Sequence, residues 1–532
     1  MLTFKDTTTI EIHNIIKNSC HKTSPLDPFP NQVLINCIGI MSTAISQLIN
    51  LSFHEGHFPE SHKIAQILPL LKKPNLDTLS PLNYRPISNL STISKIIERS
   101  VLKRLQPHIS SNPNYSSHQS AYRQGHSTET ALLQVLDHAF NACNSRKTTI
   151  LACLDLSAAF DTISHTILID RLQSKFGIAG NALSWINSYL SGRSQFVKLG
   201  KHSSSITPLR HGVPQGSVLG PLLFTTYISP ITEIIKHFNI DYHQYADDTQ
   251  IFHSLNYETS STSINTLTSC IKSIESWFLQ NYLQLNASKT ETILLGTSQQ
   301  LSTLNAITSI NINNNPIPIQ TTVKTLGVYI DNKLTFSSHI TSIIQSCNYH
   351  LRAIKHIRPF ITSDLAATLA RCMVLSRLDY CNSVLHNITQ YETTRLQRVM
   401  NRAARITLNI TTPLHHLHQS SANNLIKLHW LPIPHRIIFK IATITFKLLT
   451  TSSPSYLQDL ISVYSTQRQL RSSKAPLLNQ QTTVNNIARR AFRHAAPSVW
   501  NSLPPDLRNN TILSSFKKQL KTHLFTLAFP FN

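Results

Sequence analysis

The chain has 532 residues, 41% of them hydrophobic, which is enough to bury more than one core and excludes a wholly disordered protein. It carries 48 Lys and Arg against 25 Asp and Glu, a net charge of +23, so a polyanionic partner is expected, nucleic acid first and an anionic membrane surface second. No run is apolar and long enough to span a bilayer, and Lys5, Asp6 and Glu11 interrupt any signal-peptide core, so an intracellular protein is expected.

Residues 1–54 show mixed polar and apolar helical patterning, broken by the Pro-rich stretch 24–30 (SPLDPFP). From 55 to 330, helices alternate with short strands. The run 148–156 (TTILACLDL) is apolar and β-branched and predicts a buried strand, with Ser157 capping a helix over 157–172. Residues 242–252 (YHQYADDTQIF) place apolar arms around Asp247–Asp248 and predict a hairpin. Ile264, Leu267, Ile271, Ile274 and Phe278 recur at helical spacing, and strand-like pieces follow, ending at 323–330 (VKTLGVYI). Beyond 331 the signals are helical and basic. Residues 1–332 hold 24 Lys/Arg and 20 Asp/Glu, whereas 333–532 hold 24 and five. The expected class is α+β: an N-terminal extension (1–54), fingers and palm with an antiparallel sheet plus helices (55–330), and a basic helical thumb and C-terminal region (331–532). The eight cysteines lie no closer than nine positions apart, which excludes C-x-x-C zinc ribbons and knuckles.

Asp247–Asp248 is the one adjacent acidic pair in the chain. Two such carboxylates on a tight hairpin repel each other unless a cation neutralises them, although a solvated surface turn carries the same letters. Asp155 ends an apolar strand, either as a helix cap or as a group needing a partner. If its strand lies beside the hairpin, three carboxylates converge, as in-line phosphoryl transfer with two divalent ions requires. Gly212, Gly216 and Gly220 fall within nine positions, interleaved with Pro214 and Pro221, and suit a turn entering a helix where backbone approaches a ligand.

In order along the chain, NYRPISNLSTISKIIERSVLKRL (83–105), HQSAYRQGHSTETALL (118–133), LDLSAAFDTISH (154–165), HGVPQGSVLGPLLF (211–224), YADD (245–248), LQLNASKTETILLG (283–296) and KTLGVYID (324–331) resemble successive motifs of LINE-type (non-LTR) retrotransposon reverse transcriptases. LHWLPIPHRIIFKI (428–441) and FRHAAPSVWNSLPPDLRNN (492–510) are similar to C-terminal stretches of the chicken-repeat and jockey-like branches. The resemblance implies an RNA-directed DNA polymerase working on an RNA template, a DNA primer or target, and dNTPs, with two Mg²⁺ ions for which Mn²⁺ can substitute. It assigns metal binding to Asp155, Asp247, Asp248 and the carbonyl of Leu156. Phe160 takes the position that excludes a 2′-hydroxyl; read by itself it is more readily a helix-core aromatic. Arg85 and Arg123 are implied as triphosphate clamps, Gln215 and Gly216 as nucleotide contacts, and Gly327 as part of the primer grip. Lys289 is implied as the acid that protonates pyrophosphate, against a plain solvated lysine. The resemblance also implies residence with the element's RNA in nucleus or cytoplasm.

Ala121–Tyr122 departs from the family's usual Gly-Phe, and Ser164 stands where Asp is frequent. With about 54 residues ahead of the fingers, no apurinic-type endonuclease fits upstream, and a truncated copy that does not nick DNA is expected. Arg395, Arg398, Arg402 and Arg405 share one helical face, and Arg489, Arg490 and Arg493 sit near Phe492 and Trp500; both groups suit phosphate contacts with aromatics for stacking, against a solvated basic face. His415, His416 and His418 lack acidic or Cys companions for a metal site. The alternatives to the polymerase are a degenerate or domesticated palm that binds RNA without copying it, and an RNA-directed RNA polymerase.

Overall fold

The apolar run predicted as a buried strand forms one, Thr148–Leu154, and the molecule is arranged around it. The structure is a computed structural model that describes residues 1–19, 23–312, 315–410, 421–464 and 476–530. The central strand lies inside a six-stranded palm sheet, in the order Ser309–Ile312, Asn315–Gln320, Glu291–Leu295, Thr148–Leu154, Asp248–Leu255, Asp241–Tyr245. A second, five-stranded sheet forms the fingers: Tyr84–Asn89, Ile64–Leu71, Ser194–Leu199 and His202–Ser203 in that order, with Thr207–Pro208 also on Ser194–Leu199. The fold is the expected α+β right hand. Its sheets are mixed rather than purely antiparallel, because Ile64–Leu71 pairs parallel with Ser194–Leu199 and Glu291–Leu295 parallel with Asn315–Gln320. In both cases a long connection returns the chain to the same edge, which parallel pairing requires.

Side chains alternate across a strand, and both faces of the palm sheet are covered. Ile150, Ala152 and Leu154 enter one core, shared with Phe4, Ile12, Ile16 and Phe53 from the N-terminal segment. Leu151 enters the other, shared with helices Ser337–Ile357, Gln390–Thr407, Ile433–Thr451 and Leu513–Ala528. Glu291–Leu295 splits likewise, Ile293 and Leu295 to one side and Leu294 to the other. That double burial is why these strands read as continuous apolar runs rather than alternating ones. It also means that N-terminal segment, palm and C-terminal helices are joined by shared cores. From Ser337 onward the elements are helical, as the sequence predicts, and among the described residues no helix is long and apolar enough to cross a membrane.

The helix expected over 157–172 starts later, at His165, and is capped by Ser164 rather than Ser157. Leu156–Ser157 instead pairs with Gln284–Leu285, and Ala158 adopts a φ of 48°, which ends the extended chain in a turn. Backbone bonds from Val213 to Phe160 and from Gly212 to Ile163 hold that turn against the glycine-rich loop. Periodicity alone does not reveal such tertiary bonds.

Candidate active site

The ladder between Thr148–Leu154 and Asp248–Leu255 puts Leu154 opposite Thr249, so Asp155, the next residue, and Asp248, the one before Thr249, stand at the same end of the sheet and line one cleft. The two-residue hairpin between Asp241–Tyr245 and Asp248–Leu255 then carries Ala246 and Asp247 at its tip. Asp155 acts on both hairpin carboxylates, and Asp247 acts on Asp248. Burial, then Asp247 and Asp155, push the Asp248 carboxyl up to about 6. The Asp248 side chain itself opens to solvent. Burial and Asp155 raise Asp247, while its own amide, Arg85 and Lys289 pull it back. Lys289 Nζ lies 3.2 Å from Asp155 Oδ2. Among the described residues no three His, Cys, Asp or Glu side chains are already closed around one point. The donor chemistry nevertheless fits a hard divalent cation: carboxylate oxygens, anionic and mutually repelling, with Asp155 and Asp248 lining a cleft of about 370 Å³ that Lys289 and Lys324 also line, and Asp247 next to Asp248 on the hairpin tip. The Leu156 segment, pairing with Gln284–Leu285, borders the same strand end.

The hairpin tip is strained. Ala246 is buried and has a φ of 58°, in the left-handed region that a non-glycine residue enters at a cost of roughly 1–2 kcal/mol. Gln119 compensates. Its Oε1 accepts from the Ala246 amide at 2.9 Å and its Nε2 donates to the Ala246 carbonyl at 3.2 Å. Around it the backbone of 118–120 bonds to Gln244 like a further strand. Gln119→Ala is expected to leave both Ala246 groups unpaired, cost about 1–3 kcal/mol and slow chemistry by up to about 100-fold. Gln119→Glu, which can still accept from the amide, is expected to recover part of the rate. Equal activity of the Ala variant in steady-state assays would show that the hairpin holds itself.

Gly216 has a φ of 119° and would set a Cβ 2.8 Å from the Ser88 carbonyl; Gly212, at 80°, would set one 2.7 Å from the Asp161 carbonyl. The close approach that these glycines permit is therefore to protein backbone, stitching the loop to the fingers strand and to the turn after Asp155. The Gln215 side chain donates to both oxygens of Asp161, at 3.0 and 2.9 Å, and its carbonyl accepts from the Ser88 amide at 2.7 Å. Burial raises the Asp161 carboxyl. Phe160 is half-buried, its ring stacked 4.7 Å from that of Phe224 on helix Gly220–Ile228.

Arg85 lies exposed on the fingers strand, and its charge reaches Asp247. Arg123 is otherwise engaged: its guanidinium donates to the carbonyls of Ser116 and Gln119, at 3.0 and 3.2 Å, and covers the Tyr115 ring. Gly327, with Leu326, turns the hairpin Thr322–Thr325/Val328–Asp331, and a Cβ there would meet the Tyr380 ring at 3.2 Å. Tyr380 donates to the Leu326 carbonyl at 2.7 Å, so a residue of the C-terminal region braces this hairpin.

In the second basic cluster Arg489 is exposed, but Arg490, Arg493 and both rings are taken up by the protein itself. Arg490 is wedged between the Phe140 and Phe336 rings, Arg493 pairs with buried Asp137 at 2.6 Å, and Phe492 and Trp500 are 1% exposed. These rings serve the core, leaving no face for a base. On the first cluster, Arg395 pairs with Glu392 and Arg402 with Asn348, while Arg398 is exposed. His415, His416 and His418 lie outside the described residues.

Among the groups that sequence reading missed, Gln119 lies inside a quoted motif, Asp161 inside another, and Glu98 is a fully buried acid on helix Thr92–Ser110. Only Glu98 left a trace, as an acid among Ile96, Ile97 and Val101.

The family described as reverse transcriptase (RNA-dependent DNA polymerase) matches residues 71–330. The chain is 28% identical over 356 residues to the probable RNA-directed DNA polymerase from transposon BS of Drosophila melanogaster, covering 65% of this chain and 38% of that protein. It is 29% identical over 347 residues to the RNA-directed DNA polymerase from mobile element jockey of the same species, covering 62% and 36%. A type-1 retrotransposable element R1 Pol polyprotein of Bradysia coprophila is 28% identical over 289 residues, covering 54% and 27%. The chain thus spans little more than a third of the length of the first two relatives.

Proposed function

Given that residues 71–330 belong to the reverse transcriptase family, of the LINE type with jockey-like relatives, we propose that this chain is an RNA-directed DNA polymerase that extends a DNA 3′ end on an RNA template with dNTPs. The observation that carries the reading is the convergence of Asp155, Asp247 and Asp248 at one end of the palm sheet, close enough that the Asp155 charge raises both Asp247 and Asp248. The family uses divalent metal ions. Here Asp155, Asp247, Asp248 and the Leu156 carbonyl would hold them, as two Mg²⁺ ions that Mn²⁺ can replace; when bound they supply the positive charge that a nucleotidyl transfer needs at its attacking and leaving oxygens.

The chain's own groups do the rest. The ladder register brings the end of Thr148–Leu154, next to Asp155, beside the start of Asp248–Leu255, and Gln119 fixes the tip that carries Asp247. Arg85 brings a positive charge from the fingers that acts on Asp247, and it suits a triphosphate. Lys289 is already ion-paired there, and a proton held on its Nζ lies within reach of a leaving pyrophosphate. Gln215, Gly216 and Arg123 belong to the loops that frame the nucleotide, Arg123 by holding its loop together. The chain acts where its element's RNA is, in nucleus or cytoplasm.

The test is extension of a DNA primer annealed to RNA by the purified chain with Mg²⁺. Incorporation of dNTPs in preference to rNTPs is expected. A folded chain that binds RNA but extends nothing is the non-copying palm; preference for rNTPs makes it an RNA polymerase.

Phe160 sets that preference. Its stacking on Phe224 fixes the ring, five residues after Asp155, so Phe160→Val is expected to raise rNTP incorporation relative to dNTP by about 10- to 100-fold. An unchanged ratio would make Phe160 a packing residue only.

A further inference from the structure

We propose that a cleft between the start of helix Thr128–Asn144 and helices Ile433–Thr451 and Leu513–Ala528 is a second nucleic-acid site, which holds the phosphate backbone of single-stranded RNA away from the carboxylates. The cavity measures about 710 Å³ and shares no lining residue with the carboxylate cleft. Six cationic side chains line it: Arg371, Arg436, Lys440, Lys447, Lys517 and Lys521. Its two acids are already committed. Asp379 pairs with Arg436, and Glu129 takes Lys440 at 3.1 Å together with the amide and hydroxyl of Ser383. Arg371, Lys447, Lys517 and Lys521 have no acidic partner among the described residues.

The arrangement costs free energy as it stands. Helices Ile433–Thr451 and Leu513–Ala528 pack through Phe446 and Phe516, whose rings stack at 4.3 Å, and that contact brings Lys440 and Lys447 towards Lys517 and Lys521. Burial, then the charges of Lys517 and Lys440, lower the Lys447 ammonium. Like charges held together by an apolar contact are relieved by a polyanion, which releases its counterions on binding. Trp430 and Phe439 belong to the apolar packing beneath the cavity, and His429 is the exposed ring on its lining, so the cleft offers a cluster of cations with one flat ring, a make-up that suits a single strand. A partly enclosed cavity of this size takes roughly one or two nucleotides, not a duplex. The choice of RNA rests on the reading of the chain as an RNA-copying enzyme; the cleft's affinity for a single strand does not.

The experiment uses the full chain carrying Asp247→Ala and Asp248→Ala, with an unlabelled RNA–DNA template–primer hairpin saturating the carboxylate cleft. Binding of a labelled 12-nucleotide single-stranded RNA is followed by fluorescence anisotropy. Residual binding is expected, weakened at least tenfold by Lys447→Glu, Lys517→Glu, Lys521→Glu, with the salt slope reduced by about 2. The triple Gln variant, which adds no negative charge, is expected to fold and to lose affinity to a smaller extent. Full displacement by the hairpin, or unchanged affinity in both triple variants, would overturn the site. Equal displacement by tripolyphosphate or by polyglutamate at matched charge would replace the RNA strand by a free polyphosphate or an acidic protein. DNA bound as tightly as RNA would overturn the RNA assignment alone, and because no step depends on catalysis, failure of the polymerase reading would appear separately, as absence of primer extension by the unsubstituted chain.

Discussion

The double substitution Asp247→Ala, Asp248→Ala is expected to abolish primer extension, a loss of about 1000-fold or more, while leaving the fold as stable as before or more so. The first half follows from the carboxylates' place at the end of the palm sheet: with two of three anionic donors gone, several kcal/mol of charge stabilisation at the reacting phosphate goes with them, and each 1.36 kcal/mol is worth about tenfold. The second half follows from their ionisation. Burial and its two carboxylate neighbours push the Asp248 carboxyl up to about 6 in the folded chain, well above the ordinary aspartate range. The unfolded chain therefore gives up this proton at lower pH than the folded one, and the fold loses stability as pH rises through that window. Asp247 is raised in the same direction. At pH 7.5 without divalent ions both repulsions are fully present, and alanine removes them. Thermal melts should therefore show the double variant at or above the natural chain in chelator. Millimolar Mg²⁺ should raise only the natural chain, and by less at pH 5.5, where Asp248 is mostly protonated. A double variant that extends primers, or that responds to Mg²⁺ as the natural chain does, would move the metal-binding role elsewhere.

The sequence disclosed these carboxylates because their chemistry is rare and local: a single adjacent acidic pair, and an acid ending an apolar strand. It disclosed the palm strands because burial on both faces writes an uninterrupted apolar run. It did not disclose where the helix after Asp155 begins, since Gly212 and Val213, some fifty residues away, bind that turn through backbone atoms that leave no mark on side-chain pattern. Arg490, Arg493, Phe492 and Trp500 misled for a related reason. A cation beside rings has the same letters whether it faces phosphate or fills a core, and only the position of Asp137 and of the Phe140 and Phe336 rings decides. Gln119 illustrates a third limit: a neutral amide with no periodic signature, whose importance comes from the positive φ of a residue far along the chain.

Glu98 carries the largest expected effect on stability. It is fully buried, and no lysine or arginine is paired with it among the described ion pairs. Four donors satisfy it instead: the amides of Val218 and Leu219 at 2.7 and 3.1 Å, the Ser94 hydroxyl at 3.1 Å and the Tyr189 hydroxyl at 3.1 Å. The two amides stand just ahead of helix Gly220–Ile228, whose N-terminal dipole also favours a negative charge. Glu98 thereby ties a fingers helix to the loop that carries Gln215 and Gly216. Glu98→Ala strands two buried amides and opens a cavity, for a cost of about 3–5 kcal/mol. Glu98→Gln keeps the volume and one acceptor and is expected to recover about half of that, because hydrogen bonds to a charged group are roughly twice as strong as neutral ones. The consequence for function is separable. A loop that has lost its anchor misplaces Gln215, so the KM for dNTP should rise by about tenfold or more in Glu98→Gln, where the fold survives. Denaturant midpoints ranked natural chain, then Gln, then Ala, with a KM effect already present in the Gln variant, would establish Glu98 as the link between fingers and loop. A lowered midpoint with unchanged KM would confine it to the core.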